Sequence, residues 1–136
     1  MLVALNIFFF VFHTAWMIFN ALGWAWKRTR PLQLLTIGLT AFSWFILGIW
    51  NGLGFCICTQ WHWEVRQRLG YVDPERSYLA LLIRCVTGLH VHPDLSEAFT
   101  GAVFVIVTIL GVTLSLRDWR RRVSERRMLS PGDTSL

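Results

Sequence analysis

Predominantly apolar runs free of Asp, Glu, Lys and Arg extend from Leu2 to Trp26 and again from Leu32 to Cys58, and a third run, Ala98 to Leu116, carries no charge. Each is long enough to cross a bilayer core of about 30 Å as a helix, the first with some tilt. Pro31 directly follows the Lys27-Arg28-Thr29-Arg30 turn. There it can open a second helix without losing an N–H that the helix needs. The first two runs therefore predict a membrane hairpin with a very short basic turn, with spans over 2–26 and 32–58.

Between the second and third runs the pattern changes. Trp61, Val65 and Leu69 fall on one helical face, while His62, Glu64, Arg66 and Arg68 fill much of the rest. This predicts a short amphipathic helix lying in the membrane interface, with Thr59 as N-cap and Gly70 as stop. Asp73-Pro74-Glu75 reads as a second helix start, an N-cap followed by a first-position proline and an acid in the first turn. The helix it opens, about Pro74 to Leu89 with Gly88 as its close, carries Arg84 in its middle and is too short to span. Arg84 is expected to snorkel or to pair with an acid such as Glu97. Asp94 and Glu97 form a D-x-x-E capping arrangement for the last helix, which spans over 98–116.

Composition agrees with a chain built for lipid. Hydrophobic residues make up 54% and charged residues 15% of 136, against about 25% charged in soluble domains. The net charge of +5 does not point to nucleic acid, because the basic residues flank apolar runs instead of lining a polar face. The first run lacks a charged n-region and a small-residue cleavage site, so it reads as a retained span and not as a signal peptide.

Charge placement sets the topology. Lys27, Arg28 and Arg30 follow the first run; Arg117, Arg120, Arg121, Arg122, Arg126 and Arg127 follow the last. Of the thirteen basic residues only Arg66, Arg68, Arg76 and Arg84 lie elsewhere. Three crossings put both basic edges on one side; four would separate them. The positive-inside bias therefore selects three, with the N-terminus periplasmic and the C-terminus cytoplasmic in a bacterial inner membrane. The predicted fold is an all-α integral membrane protein: three transmembrane helices plus an outer-face cap of two short non-spanning helices over 59–94, one able to dip into the bilayer. Four transmembrane helices is the alternative. Residues 1–128 form one helical domain. The polar stretch 129–136 (LSPGDTSL) has no apolar face, so any order there must come from a partner protein. Lys27, Arg28, Arg30, Arg120, Arg121 and Arg122 are topology determinants that also meet anionic lipid.

Polar residues within the spans are the candidates for chemistry or packing. Asn6, His13 and Asn20 stand seven apart on the first span and share a face; Ser43 and Asn51 lie on the second, beside Gly48-x-x-x-Gly52, which permits close helix approach. Helix–helix hydrogen bonding is one reading of this set. Axial ligation of haem or a chlorophyll by His13 is the other. The cap holds Cys56, Cys58, His62, Cys85, His90 and His92. These side chains suit zinc or copper, but the spacings match no standard finger or ribbon. Buried thiols, or a disulfide from Cys56 or Cys58 to Cys85, are the competing readings. Trp24, Trp26, Trp61, Trp63 and Trp119 fit an aromatic belt. Trp16, Trp44 and Trp50 lie deeper, where helix packing or contact with pigment, quinone or lipid explains them.

The stretch from Cys56-Ile57-Cys58-Thr59 to Gly70 resembles the signature of a widespread bacterial family of small uncharacterised inner-membrane proteins. The pattern is a first-span histidine, then C-P-L-T-x-L/W-E/H, a basic residue and a closing glycine. His13, Cys56, Thr59, His62, Arg66 and Gly70 occupy matching positions. Ser77, Tyr78, Leu81, Thr87 and Gly88 fit a following segment of its Bacteroidetes-like branch, and the likeness covers about residues 10 to 118. Ile57 stands where proline is usual, and His62 where many members carry glutamate. The resemblance implies an architecture and no activity.

With no convergent catalytic set, the expected function is that of a non-enzymatic accessory subunit. Its aromatic spans would pack against a larger membrane complex, of the energy-transducing class, photosynthetic or respiratory. A redox, metal or haem protein using the Cys/His cap or His13 is the alternative, and a small transporter a further one. Three spans with no inverted repeat argue against a monomeric transporter.

Overall fold

The computed structural model of the chain describes residues 1–52, 54–72 and 77–129. Among them every regular element is helical. Six α-helices follow in order: α1 (Leu2–Leu22), α2 (Arg30–Ala41), α3 (Gly48–Asn51), α4 (Ile57–Arg68), α5 (Tyr78–Thr87) and α6 (Pro93–Leu129). A wide π-helical turn, Phe42–Leu47, joins α2 to α3 so that Arg30–Asn51 is one continuous span. Three helices are long and apolar enough to cross a membrane, while α5 has ten residues. The all-α fold with three helices long enough to span holds, with α4 and α5 as a two-helix lobe, and among the described residues no fourth helix reaches that length. The expected helix start at Asp73-Pro74-Glu75 and the tail from 130 onward lie outside the described residues.

The boundaries shift for identifiable reasons. The first span ends at Leu22, not Trp26. Just past the helix end the turn folds back on side-chain bonds: the Thr29 hydroxyl donates to Gly23 O at 2.6 Å and Arg30 Nε to Trp24 O at 2.8 Å. The second span ends at Asn51, not Cys58, because Gly52 turns to φ +101° and Gly54 to φ +85°. That left-handed region favours glycine. Gly52 thus ends a helix; a Cβ added there would meet nothing within 4 Å, so the Gly48-x-x-x-Gly52 spacing makes no close helix contact at its second glycine. The N-cap of α4 falls three residues before the expected Thr59, at Cys56. Gly70 and Gly88 both adopt positive φ, as stops should. α6 begins at Pro93, which places Asp94 inside the first turn, and runs on to Leu129. No glycine or proline interrupts the arginine-rich stretch after Leu116, and arginine, glutamate, methionine and leucine are good helix formers.

The largest correction concerns α4. Its buried residues are His62 and Arg66, whereas Trp61 is exposed. An interfacial helix would bury the Trp61/Val65/Leu69 face in lipid and leave His62 and Arg66 to water. Here the helix packs along α1. Next to hydrocarbon, polar side chains turn toward protein. The lobe also reaches deep. At about 1.5 Å per residue α1 is roughly 30 Å long, the depth of a bilayer core. Tyr78, the first residue of α5, bonds to Phe10 and Thr14 of α1, near the middle of that length.

The other end of the bundle is closed by polar packing. Arg30 pairs with Asp118, and both side chains are largely buried. This ion pair puts the basic turn and the start of the arginine-rich stretch at the same end. Gln33, fully buried, donates from Nε2 to Asn20 O at 3.2 Å. It fits because two helices present no side chain to it: a Cβ on Gly23 would lie 2.8 Å from Gln33 Cγ, and one on Gly111 2.6 Å from Gln33 Oε1. The glycines that permit close approach are therefore Gly23 and Gly111.

Gly111→Ala should cost roughly 1–3 kcal/mol through overpacking. Gly101→Ala, with nothing within 4 Å of the new methyl, should be neutral or stabilising by up to about 1 kcal/mol. Thermal unfolding of the two variants in detergent separates these outcomes.

Candidate functional site

The site grows from one face of α1. Asn6, His13 and Asn20 share that face and all turn toward protein. Asn20 belongs to the closed end of the bundle. It accepts the Thr36 hydroxyl at 2.7 Å and donates to the Thr40 hydroxyl at 3.3 Å, which also receives Trp16 Nε1 at 3.2 Å. These bonds brace α1 against α2.

Asn6 and His13 face the lobe. His62 is fully buried, and its Nε2 lies 2.9 Å from Asn6 Oδ1. An amide oxygen only accepts, so Nε2 carries the proton. Phe9 and Trp63 stack against the same imidazole with ring centroids 6.0 and 5.8 Å away. One turn below, the Tyr78 hydroxyl donates to Phe10 O at 2.8 Å and touches the Thr14 hydroxyl at 3.0 Å. The His13 ring lies 4.1 Å from the Tyr78 ring, centroid to centroid. Arg66, one turn after His62, places its guanidinium 4.6 Å from the centre of the Tyr71 ring, a cation–π arrangement. Burial pushes the Tyr78 phenol above its ordinary value, against the opposing effect of the Thr14 bond.

Cys56 joins this cluster from the N-terminus of α4. Its thiol is pulled down from 9.0 to about 5, chiefly by Cys58, while burial works in the opposite direction. The His13 imidazole and the amide and hydroxyl of Thr59 lower it further. Cys58 moves upward for the complementary reason and keeps its proton. A helix N-terminus and a nearby imidazole are the setting in which thiolates persist.

The rest of the expected Cys/His set is dispersed. Cys85 is exposed on α5; His90 and His92 are exposed before α6, with His92 Nδ1 3.6 Å from an Asp94 oxygen. Among the described residues no three His, Cys, Asp or Glu side chains gather to hold a metal ion, and all three cysteines are free thiols. Of the helix-packing candidates, Ser43 donates to Phe55 O at 3.0 Å and ties the π-helical turn to the chain entering the lobe. Asn51 is exposed and bonds back to Leu47 O of its own helical turn. Trp16 and Trp44 pack inside the bundle, Trp44 with its ring 4.9 Å from Phe104, while Trp50 is exposed. Lys27, Arg28, Arg120, Arg121 and Arg122 are exposed, and Arg30 is held by Asp118.

Sequence reasoning listed His13 and the cap as separate candidates; the fold brings His13 to the same side of α1 as Cys56 and His62 and leaves Cys85, His90 and His92 apart. It gave Tyr78 no role beyond the resemblance, although a phenol beginning a short apolar helix needs a partner when buried. Gln33, Thr36 and Thr40 also escaped it. Their three- and four-residue spacing on α2 was the available signal. His13, Cys56, His62, Arg66 and Tyr78, all among the residues that carry the resemblance, converge here.

The chain belongs to the family described as Protein of Unknown function (DUF2784), whose model matches residues 3–116. No curated protein and no solved structure matches it.

Tyr78→Phe removes one hydroxyl and should lower stability by about 1 kcal/mol. His62→Ala opens a cavity and strands the Asn6 amide, so its cost should be roughly 2–4 kcal/mol. Equal melting temperatures for the two variants in detergent would contradict this ranking.

Proposed function

We propose that this member of the DUF2784 family is a small multi-pass membrane protein that serves as a non-enzymatic subunit of a larger membrane assembly. The carrying observation is an outward aromatic pair on α1. Phe8 and Phe12 follow one another at i and i+4 with ring centroids 5.8 Å apart, and the series continues to Trp16, which turns into the bundle. Phe8 and Phe12 face away from the bundle. Ridges at this spacing are what one helix lays into the groove of another. Burial within the chain supports the reading: only 6%, 28% and 11% of the most apolar stretches of the three spans are covered by the chain itself. The class of assembly proposed is energy-transducing, since such complexes collect small helical subunits.

The proposed location is a bacterial inner membrane with the N-terminus periplasmic and the C-terminus cytoplasmic. The support is electrostatic: the Arg30–Asp118 pair joins the two basic edges at one end of the bundle, and clustered Lys and Arg favour the cytoplasmic side. The lobe then faces the periplasmic half of the bilayer.

After gentle extraction the protein should migrate on native gels well above its 15.8 kDa mass, and Phe8→Ala with Phe12→Ala should release it. Migration of the wild type as a lone subunit would overturn the proposal. For orientation, alkaline phosphatase fused after Leu129 should stay inactive and a green fluorescent protein fusion there should glow; the reverse pair of results would invert the topology.

A further inference from the structure

The arginines that follow the last apolar run are divided by the face of α6 on which they stand. At about 100° per residue, Arg117, Arg120 and Arg121 share one side of the helix, whereas Arg122 and Arg126 fall roughly opposite Arg117. The three arginines on the shared side line one open cleft with Thr113, Leu116 and Ser124.

The ion pair at the closed end of the bundle shapes the charge of this cleft. Asp118 is turned inward onto Arg30, so the acid nearest in sequence is withdrawn from it. Among the described residues no acid pairs with Arg117, Arg120 or Arg121. Glu125 is the acid of the cleft and lies a turn beyond Arg121, so three positive charges less one leave a net +2.

Depth matters as much as charge. Thr113 and Leu116 belong to the apolar run, and both are exposed. Arg121 stands five residues past Leu116, about 7.5 Å along the axis at 1.5 Å per residue. That is about the thickness of one headgroup layer. Exposed Trp119 lies within this stretch and exposed Trp26 in the basic turn, and tryptophans of this kind settle at the membrane–water interface. The cleft therefore begins against hydrocarbon and ends among headgroups.

We propose that it binds one phospholipid whose headgroup carries about two negative charges, as two phosphodiesters or one phosphomonoester. Arg117, Arg120 and Arg121 hold the phosphate oxygens and Leu116 meets an acyl chain. Each guanidinium presents a planar fork that engages two phosphate oxygens at once. General attraction of anionic lipid follows from clustered positive charge on any face. A site of fixed stoichiometry needs what this face adds, namely donors converging beside an apolar wall. The inference rests on the membrane-spanning fold and not on the assembly proposed above.

The test is native mass spectrometry of the full-length protein in mild detergent, titrated with cardiolipin, phosphatidic acid, phosphatidylcholine or inorganic phosphate. One cardiolipin or phosphatidic acid per chain should bind roughly tenfold or more tightly than phosphatidylcholine. Replacing Arg117, Arg120 and Arg121 together by Gln should weaken that binding roughly a hundredfold, about fivefold for each arginine lost. Replacing Arg28, Arg122 and Arg126 by Gln removes the same charge from exposed positions elsewhere. That variant should lose less than about tenfold, because exposed charges a Debye length away are largely screened. Equal losses in the two triple variants overturn the proposal, as does wild-type binding of phosphatidylcholine as tight as that of cardiolipin. Displacement of the lipid by an equal concentration of inorganic phosphate overturns it too and assigns the cleft to a soluble anion. The wild-type comparisons stand whether or not the variants fold.

Discussion

Hydrocarbon offers no hydrogen bonds, and this constraint orders the molecule more than any single apolar contact. Polar side chains at membrane depth are drawn to partners within the chain. The Asn6–His62 contact is the clearest result. It turns α4 so that its histidine and arginine face α1 while tryptophan faces outward. A soluble helix of this sequence would present the opposite side. The α4 face in turn positions the entry of α5, whose first residue reaches the α1 backbone. The lobe is thus docked by polar bonds placed inside a bundle whose outer surface is apolar.

The opposite end of the bundle uses the same logic with different groups. An ion pair closes the turn against α6, and a buried amide fills a space that two glycines leave open. Association of helices in lipid draws little from hydrophobic burial, because the tails are as apolar as leucine; close approach at small residues and buried hydrogen bonds replace it. Gln33 with Gly23 and Gly111 combines both devices at one position. Polar clusters therefore pin both ends of α1, with Ile37, Leu81 and Val107 among the few apolar side chains buried elsewhere.

Much of the architecture was legible in the sequence because length and apolar content alone identify a span. The basic edges gave the count of crossings, and Gly70 and Gly88 gave two helix stops that the backbone adopts. Legibility failed where the solvent changed. Amphipathic reasoning assumes water on the polar face, so it assigned the Trp61/Val65/Leu69 side of α4 to burial. It also treated Gly48-x-x-x-Gly52 as a packing motif when its second glycine ends the helix, since the spacing alone does not distinguish a contact from a stop. The candidate site was legible as a list of residues and not as a place. Nothing in the spacing of His13, Cys56, His62 and Tyr78 states that two short helices fold back along the first span to bring them together.

One helix differs from the others in continuity. α6 extends without a break over 37 residues, about 55 Å at 1.5 Å per residue, well beyond the thickness of a bilayer core. It contacts α5, shares the ion pair at Asp118, and continues past it. A rod of this kind has no joint in which to absorb a displacement. The direction of the arginine-rich segment is therefore set by the same helix that packs on the lobe and carries Asp118.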